Sequence, residues 1–245
     1  MLTFVALLVG GATILGAAIG LIFKTTSQKF NDGAMSVAAG LMLAAAVLGL
    51  IIPSLECGGR FGVFTTVLGI FSGALCVNLF DILLLRGYER WGDRRGQGSE
   101  RLRRVILFVA AIALHNLPEG MAAGVGFGGG DAFDGLFIAT AIALQNIPEG
   151  MTVTIAVKCA NMKPHRAFLI AALTGVVEIV ATFIGYFAVS ISEYLLPFIL
   201  AFAGGNMLYV IAEEMIPETH SVKSTSATYF MLLGFCLMLF ISVLI

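Results

Sequence analysis

The sequence predicts an all-α integral membrane protein, eight transmembrane helices with inverted pseudo-symmetry, and three observations carry that prediction. Of its 245 residues, 59% are hydrophobic and only 12% charged, with a mean hydropathy of +0.99, outside the usual range of soluble domains. Apolar stretches of about 20 residues, the length a helix needs to cross a hydrocarbon core of about 30 Å, recur at about 2–23, 34–53, 63–85, 105–127, 135–157, 167–189, 195–215 and 227–245. Ile112–Met121 and Ile142–Met151 are near copies that differ only at His115/Gln145 and Leu117/Ile147. They lie in consecutive spans and so enter the membrane from opposite sides.

The spans fill nearly the whole chain, so one transmembrane domain over 1–245 is expected, with no soluble domain. The first is apolar from its start, lacks a basic stretch and a cleavage site, and reads as a helix rather than a removable signal. The second ends in Pro53-Ser54-Leu55-Glu56. The third runs into a segment, 86–104, that reads as a loop with Gly96-Gln97-Gly98-Ser99 at its centre. Glu89, Asp93 and Glu100 interleave its arginines, which fits a loop near lipid headgroups; no nucleic-acid partner is expected. Spans four and five carry the repeat, joined by a short outer turn at Gly128-Gly129-Gly130. Span six holds Glu178 at its middle. Span seven ends in Glu213-Glu214-Met215-Ile216-Pro217-Glu218, and span eight is apolar throughout. Cys57, Cys76, Cys159 and Cys236 lack CxxC spacing, so neither a disulfide framework nor a thiolate zinc site is signalled.

Basic residues set the expected topology. Lys24, Lys29, Arg86, Arg90, Arg94, Arg95, Arg101, Arg103, Arg104, Lys158, Lys163, Arg166 and Lys223 fall on one side and Arg60 alone on the other. This asymmetry puts both termini outside and 86–104 in the cytoplasm, in a multi-pass protein of the cell's inner or plasma membrane.

The repeat carries the chemistry. His115 and Glu119 are four apart, as are Gln145 and Glu149, so each pair shares a helix face, with Asn116 and Asn146 beside them. Pro118 and Pro148 cannot donate to the carbonyls of Leu114 and Leu144 and so free an acceptor each. Inverted repeats mark secondary transporters, whose site lies at midplane where the repeats meet. Two carboxylates match one divalent cation, and imidazole with carboxylate suits zinc and neighbours such as iron and manganese. The blander alternative, polar groups that only hydrogen-bond two helices, accounts poorly for two costly glutamates.

Glu178, with no Lys or Arg in its span, reads as a third carboxylate facing the same cavity. Glu213, Glu214 and Glu218 at one membrane face, and Ser54 and Glu56 at the other, read as two mouths of one route. Met42 taken alone reads as core or lipid-facing.

With these residues in view, His115-Asn116-x-Pro118-Glu119-Gly120 and Gln145-Asn146-x-Pro148-Glu149-Gly150 resemble the helix-four and helix-five signatures of the ZRT/IRT-like (ZIP) metal transporters, most closely the bacterial, GufA-like branch. The resemblance extends over essentially the whole chain. It implies an elevator-type carrier moving Zn²⁺, and in some members Fe²⁺, Mn²⁺ or Cd²⁺, toward the cytoplasm through a binuclear site. Carried over residue by residue, His115, Glu119, Gln145 and Glu149, with Met42 as a soft ligand, would form the primary position. Asn116, Asn146 and Glu178, bridged by Glu119 and Glu149, would form the second. Glu213 and Glu214 would receive the ion, and Ser54 and Glu56 would flank its entrance. Asn146 stands where some relatives have Asp, which weakens the second position; Glu213 stands where some have His. The competing classes are an intramembrane metal-dependent enzyme, poorly served by one intramembrane histidine, and a metal-selective channel. The sequence leaves the oligomeric state open, a homodimer among the options.

Overall fold

The computed structural model describes residues 1–23, 28–92, 100–129, 132–159, 162–191, 195–219 and 225–244. Among these there is no strand. The helices are α1 (Leu2–Ile22), α2 (Gln28–Ala44), α3 (Ile52–Cys57), α4 (Gly62–Gly92), α5 (Glu100–Gly129), α6 (Ala132–Cys159), α7 (Pro164–Ile191), α8 (Leu196–Val210), α9 (Ile216–Thr219) and α10 (Thr225–Leu244). A π-helical stretch, Ala45–Ile51, joins α2 to α3, and a second, Ile211–Met215, joins α8 to α9. Six segments are long and apolar enough to cross a membrane: Leu2–Ile22, Asp32–Cys57, Gly59–Leu83, Pro164–Val189, Leu196–Met215 and Thr225–Leu244. Helices α5 and α6, 30 and 28 residues long, complete the eight expected spans and carry the polar repeat.

Two expected boundaries move. The segment 86–104 is not a loop throughout, because α4 continues to Gly92 and α5 begins at Glu100. Arginine and glutamate are good helix formers, so polarity marks where the bilayer ends and not where the helix does. Only 93–99 of that segment lies outside the described residues, as do Lys24 and Lys223. The turn expected at Gly128-Gly129-Gly130 starts later, since α5 runs through Gly129; Gly130 lies outside the described residues.

The helices form two groups. In one, α1 packs on α6 and α7, and α5 on α7 and α6; in the other, α4 packs on α8 and α2 on α10. Glycines set the closest approaches. A Cβ at Gly150 would strike the Thr13 carbonyl and one at Gly120 the Glu178 carbonyl; Gly20 abuts Met151 and Gly185 abuts Met121. A shift of 165 residues carries Thr13 onto Glu178 and Gly20 onto Gly185, while the motif repeat carries Met151 onto Met121. Each contact therefore has a mate. The second group repeats the pattern: Gly40 meets the Met231 carbonyl and Gly205 that of Ile70, while Gly234 meets Val37 and Gly73 meets Phe202. Such small-residue seams let membrane helices approach closely.

Between the groups, α2 faces α6 and α5 faces α8. The main core lies there and includes Leu41, Met42, Ala45, Leu50, Ala122, Val125, Ile138, Ile142, Ala203 and Met207. Phe61, Phe64, Phe71, Leu173, Val180, Phe187, Leu233 and Phe240 point outward, as expected where the surrounding solvent is lipid.

A buried polar centre on the pseudo-two-fold axis

Helices α5 and α6 run through Pro118 and Pro148 and bring the two motif copies together at mid-length. Glu119, Gln145, Asn116, Asn146 and Glu178 are all buried, and Glu149 is half-buried. Gln145 donates from Nε2 to Glu119 Oε1 at 2.8 Å. Asn116 donates from Nδ2 to Glu178 Oε1, and Asn146 from Nδ2 to Glu178 Oε2. Thr13 of α1 donates its hydroxyl to Glu178 Oε1 at 2.7 Å. Asn146 also reaches the Val9 carbonyl at 3.3 Å. Glu149 lies within electrostatic range of both Glu119 and Glu178.

The sequence repeat thus becomes a spatial repeat. Asn116 and Asn146, equivalent by the motif, grip the two oxygens of one carboxylate. Thr13 and Glu178, equivalent by the shift of 165, bond to each other, so Glu178 sits where the two halves meet.

The unmet atoms are informative. Asn116 Oδ1, Asn146 Oδ1, Glu119 Oε2 and Gln145 Oε1 are buried with no hydrogen-bond partner. Three of them are amide oxygens, which can only accept, and buried polar atoms left unpaired are rare in folded proteins. Such oxygens can accept a hydrogen bond or coordinate a cation. Among the described residues no three His, Cys, Asp or Glu converge as a metal-holding group. The side chain of His115, on α5 beside Asn116, lies outside the described residues, and Glu178 faces its three donors.

The other candidates divide by position. Met42 is fully buried in the core between the groups. Ser54 is buried, its hydroxyl donating to the Pro197 carbonyl at 2.6 Å and paired with Thr66 Oγ1 at 2.7 Å, so it ties α3 to α4 and α8. Glu56 is exposed and, with Gly49, Pro53, Val125, Ile138 and Leu200, lines a cleft of about 180 Å³ between the two groups. Glu213 is exposed and Glu214 half-buried on the second π-stretch; the Glu218 side chain lies outside the described residues.

The sequence reading missed three features. The π-stretches precede Ile52-Pro53 and Ile216-Pro217, and in each the isoleucine N–H returns five residues, to Val47 and to Ile211. Thr13 carries no polar signal of its own, although Gly10, Gly16 and Gly20 around it spell a close-packing face. Lys158 reaches from α6 to the carbonyls of Gly20, Leu21 and Phe23, where the negative end of the α1 dipole favours a cation.

Eight membrane-length helical segments wrapped around a buried polar centre define an integral, multi-pass membrane protein. Residues 91–242 match the family described as ZIP Zinc transporter. The zinc transporter GufA of Myxococcus xanthus is 37% identical over 226 residues, covering 88% of this chain and 87% of its own. The zinc transporter ZIPB of Bordetella bronchiseptica is 36% identical over 243 residues, 94% of this chain and 76% of its own, and human zinc transporter ZIP11 is 30% identical across 95% of this chain and 94% of its own. The chain belongs to the ZIP zinc transporter family. Its relatives are transporters and not enzymes.

Proposed function

We propose that this protein carries divalent transition-metal ions, zinc first, across its membrane toward the cytoplasm. The single observation that supports this most strongly is the set of four orphaned buried acceptors, Asn116 Oδ1, Asn146 Oδ1, Glu119 Oε2 and Gln145 Oε1, with Glu149 beside them. His115, Glu119, Gln145 and Glu149 are the primary ligands, with Met42 as a soft ligand. A site of imidazole, carboxylate and amide oxygens also accepts Fe²⁺, Mn²⁺ and Cd²⁺.

The bias of basic residues supports a topology with both termini outside and the segment 86–104 inside. In that frame the cleft at Glu56 is the outer mouth, and Glu213, Glu214 and Glu218 receive the ion at the cytoplasmic mouth. The glycine seams that join α1 to α6 and α7, and α5 to α7, support a carrier whose α1, α5, α6 and α7 move as one body against the rest, the elevator mode.

Zinc uptake into proteoliposomes by the wild type and by Glu149→Gln, with bound metal counted on the purified protein, tests the reading. Loss of flux together with the bound ion in the variant is the expected result. Undiminished flux in Glu149→Gln would overturn it.

A further inference from the structure

The geometry points to Thr13 and Glu178 as positioning residues: their hydrogen-bonded cluster with Asn116 and Asn146 takes the place of a second cation and presents both amide oxygens to a single cargo ion. The inference rests on the transport reading and deepens it, giving each chain one ion and assigning Thr13 a role.

The Glu178 carboxylate is buried and engages three donors, Thr13 Oγ1, Asn116 Nδ2 and Asn146 Nδ2, from α1, α5 and α6. A buried carboxylate is costly unless it is paired or fully hydrogen-bonded, and here the donors supply what a cation otherwise would. An ion lodged between Glu178 and the asparagines would need both amides turned oxygen-first. That rearrangement breaks both amide bonds to Glu178, and a bond accepted by a carboxylate is stronger than one between neutral groups.

An amide has one donating end and one accepting end. Once Glu178 claims the nitrogens of Asn116 and Asn146, their oxygens must point away from it. Both oxygens are the orphans already described, together with Glu119 Oε2 and Gln145 Oε1. The nitrogens of both amides are therefore engaged while their oxygens have no partner. A cation belongs on the acceptor side only.

Thr13 is central to this arrangement. It is the pseudo-symmetry mate of Glu178, it is buried, and its hydroxyl donates to Glu178 Oε1, the oxygen that Asn116 also engages. Gly150 packs on its carbonyl, so the α1 backbone holds the hydroxyl at a fixed height relative to the motif.

The test counts ions by elemental analysis on purified wild type, Thr13→Val, Thr13→Ser and Asn146→Asp, and measures zinc uptake for each. Wild type should hold one ion per chain. Asn146→Asp turns a donor into an anion facing Glu178 and should raise the count to two. Thr13→Val should raise the KM for zinc roughly five-fold, as expected for one lost hydrogen bond, with Thr13→Ser restoring it; a merely structural threonine would change thermal stability and leave KM alone. Two ions in the wild type, or an unchanged KM in a folded Thr13→Val, would overturn the cluster's role without touching transport. A wild type that binds one ion and moves none would instead overturn the transport reading and leave the count standing.

Discussion

Gly10 of α1 and Gly175 of α7 pack backbone against backbone, and a Cβ on either would strike the carbonyl oxygen of the other. Gly10→Ala and Gly175→Ala should each destabilise the fold by about 1–3 kcal/mol, the usual cost of overpacking. Because one methyl already forces the helices apart, the double variant should cost less than the two added together. Thermal unfolding in detergent measures this; simple additivity would mean that the two glycines sit in separate contacts.

Gln145 holds Glu119 through the 2.8 Å bond from its Nε2. Gln145→Leu removes that donor and one of the orphaned oxygens while keeping the side-chain volume. Zinc affinity, read by competition with a chromogenic chelator, should fall by roughly 10- to 100-fold, as is typical when a ligand's supporting bond is lost. An affinity within two-fold of wild type, on the order of a neutral surface change, would remove Gln145 from the site.

Lys158 donates to three carbonyls at the end of α1. Lys158→Met should cost about 2–3 kcal/mol of stability, since hydrogen bonds to a charged group each contribute more than neutral ones. Lys158→Arg, which keeps charge and donors, should recover most of it. If both variants melt together, the ammonium contributes little to holding α1.

Glu56 is exposed at the cleft between the two helix groups. Glu56→Gln should slow zinc uptake by roughly two- to three-fold at low salt, with the difference shrinking as ionic strength shortens the Debye length. A salt-independent loss would point to direct coordination instead of attraction at a distance.

The polar centre was legible because the bilayer makes polarity conspicuous. Glu119, Gln145 and Glu149 stand out in an apolar run, and the duplicated decapeptide announces the two-fold. Thr13 was illegible for the opposite reason: a threonine in a membrane helix can bond its own backbone, as Thr182 does with the Glu178 carbonyl, so nothing local reveals a partner 165 residues away. The π-stretches are invisible in the sequence because one residue of excess winding leaves hydropathy unchanged. The ends of α4 and α5 extend past the expected spans because their arginines are poor membrane residues and good helix residues.

The near identity of α5 and α6 around the motif has a consequence for biosynthesis. Two helices with almost the same central sequence, separated by residues 130–131 alone, must be threaded into the bilayer in opposite directions. Their centres cannot tell the insertion machinery which way to turn them. The instruction must reside in the flanks, where Arg101, Arg103 and Arg104 precede one copy and Lys158 follows the other. These charges are thus the punctuation that lets one written phrase be read both forwards and upside down.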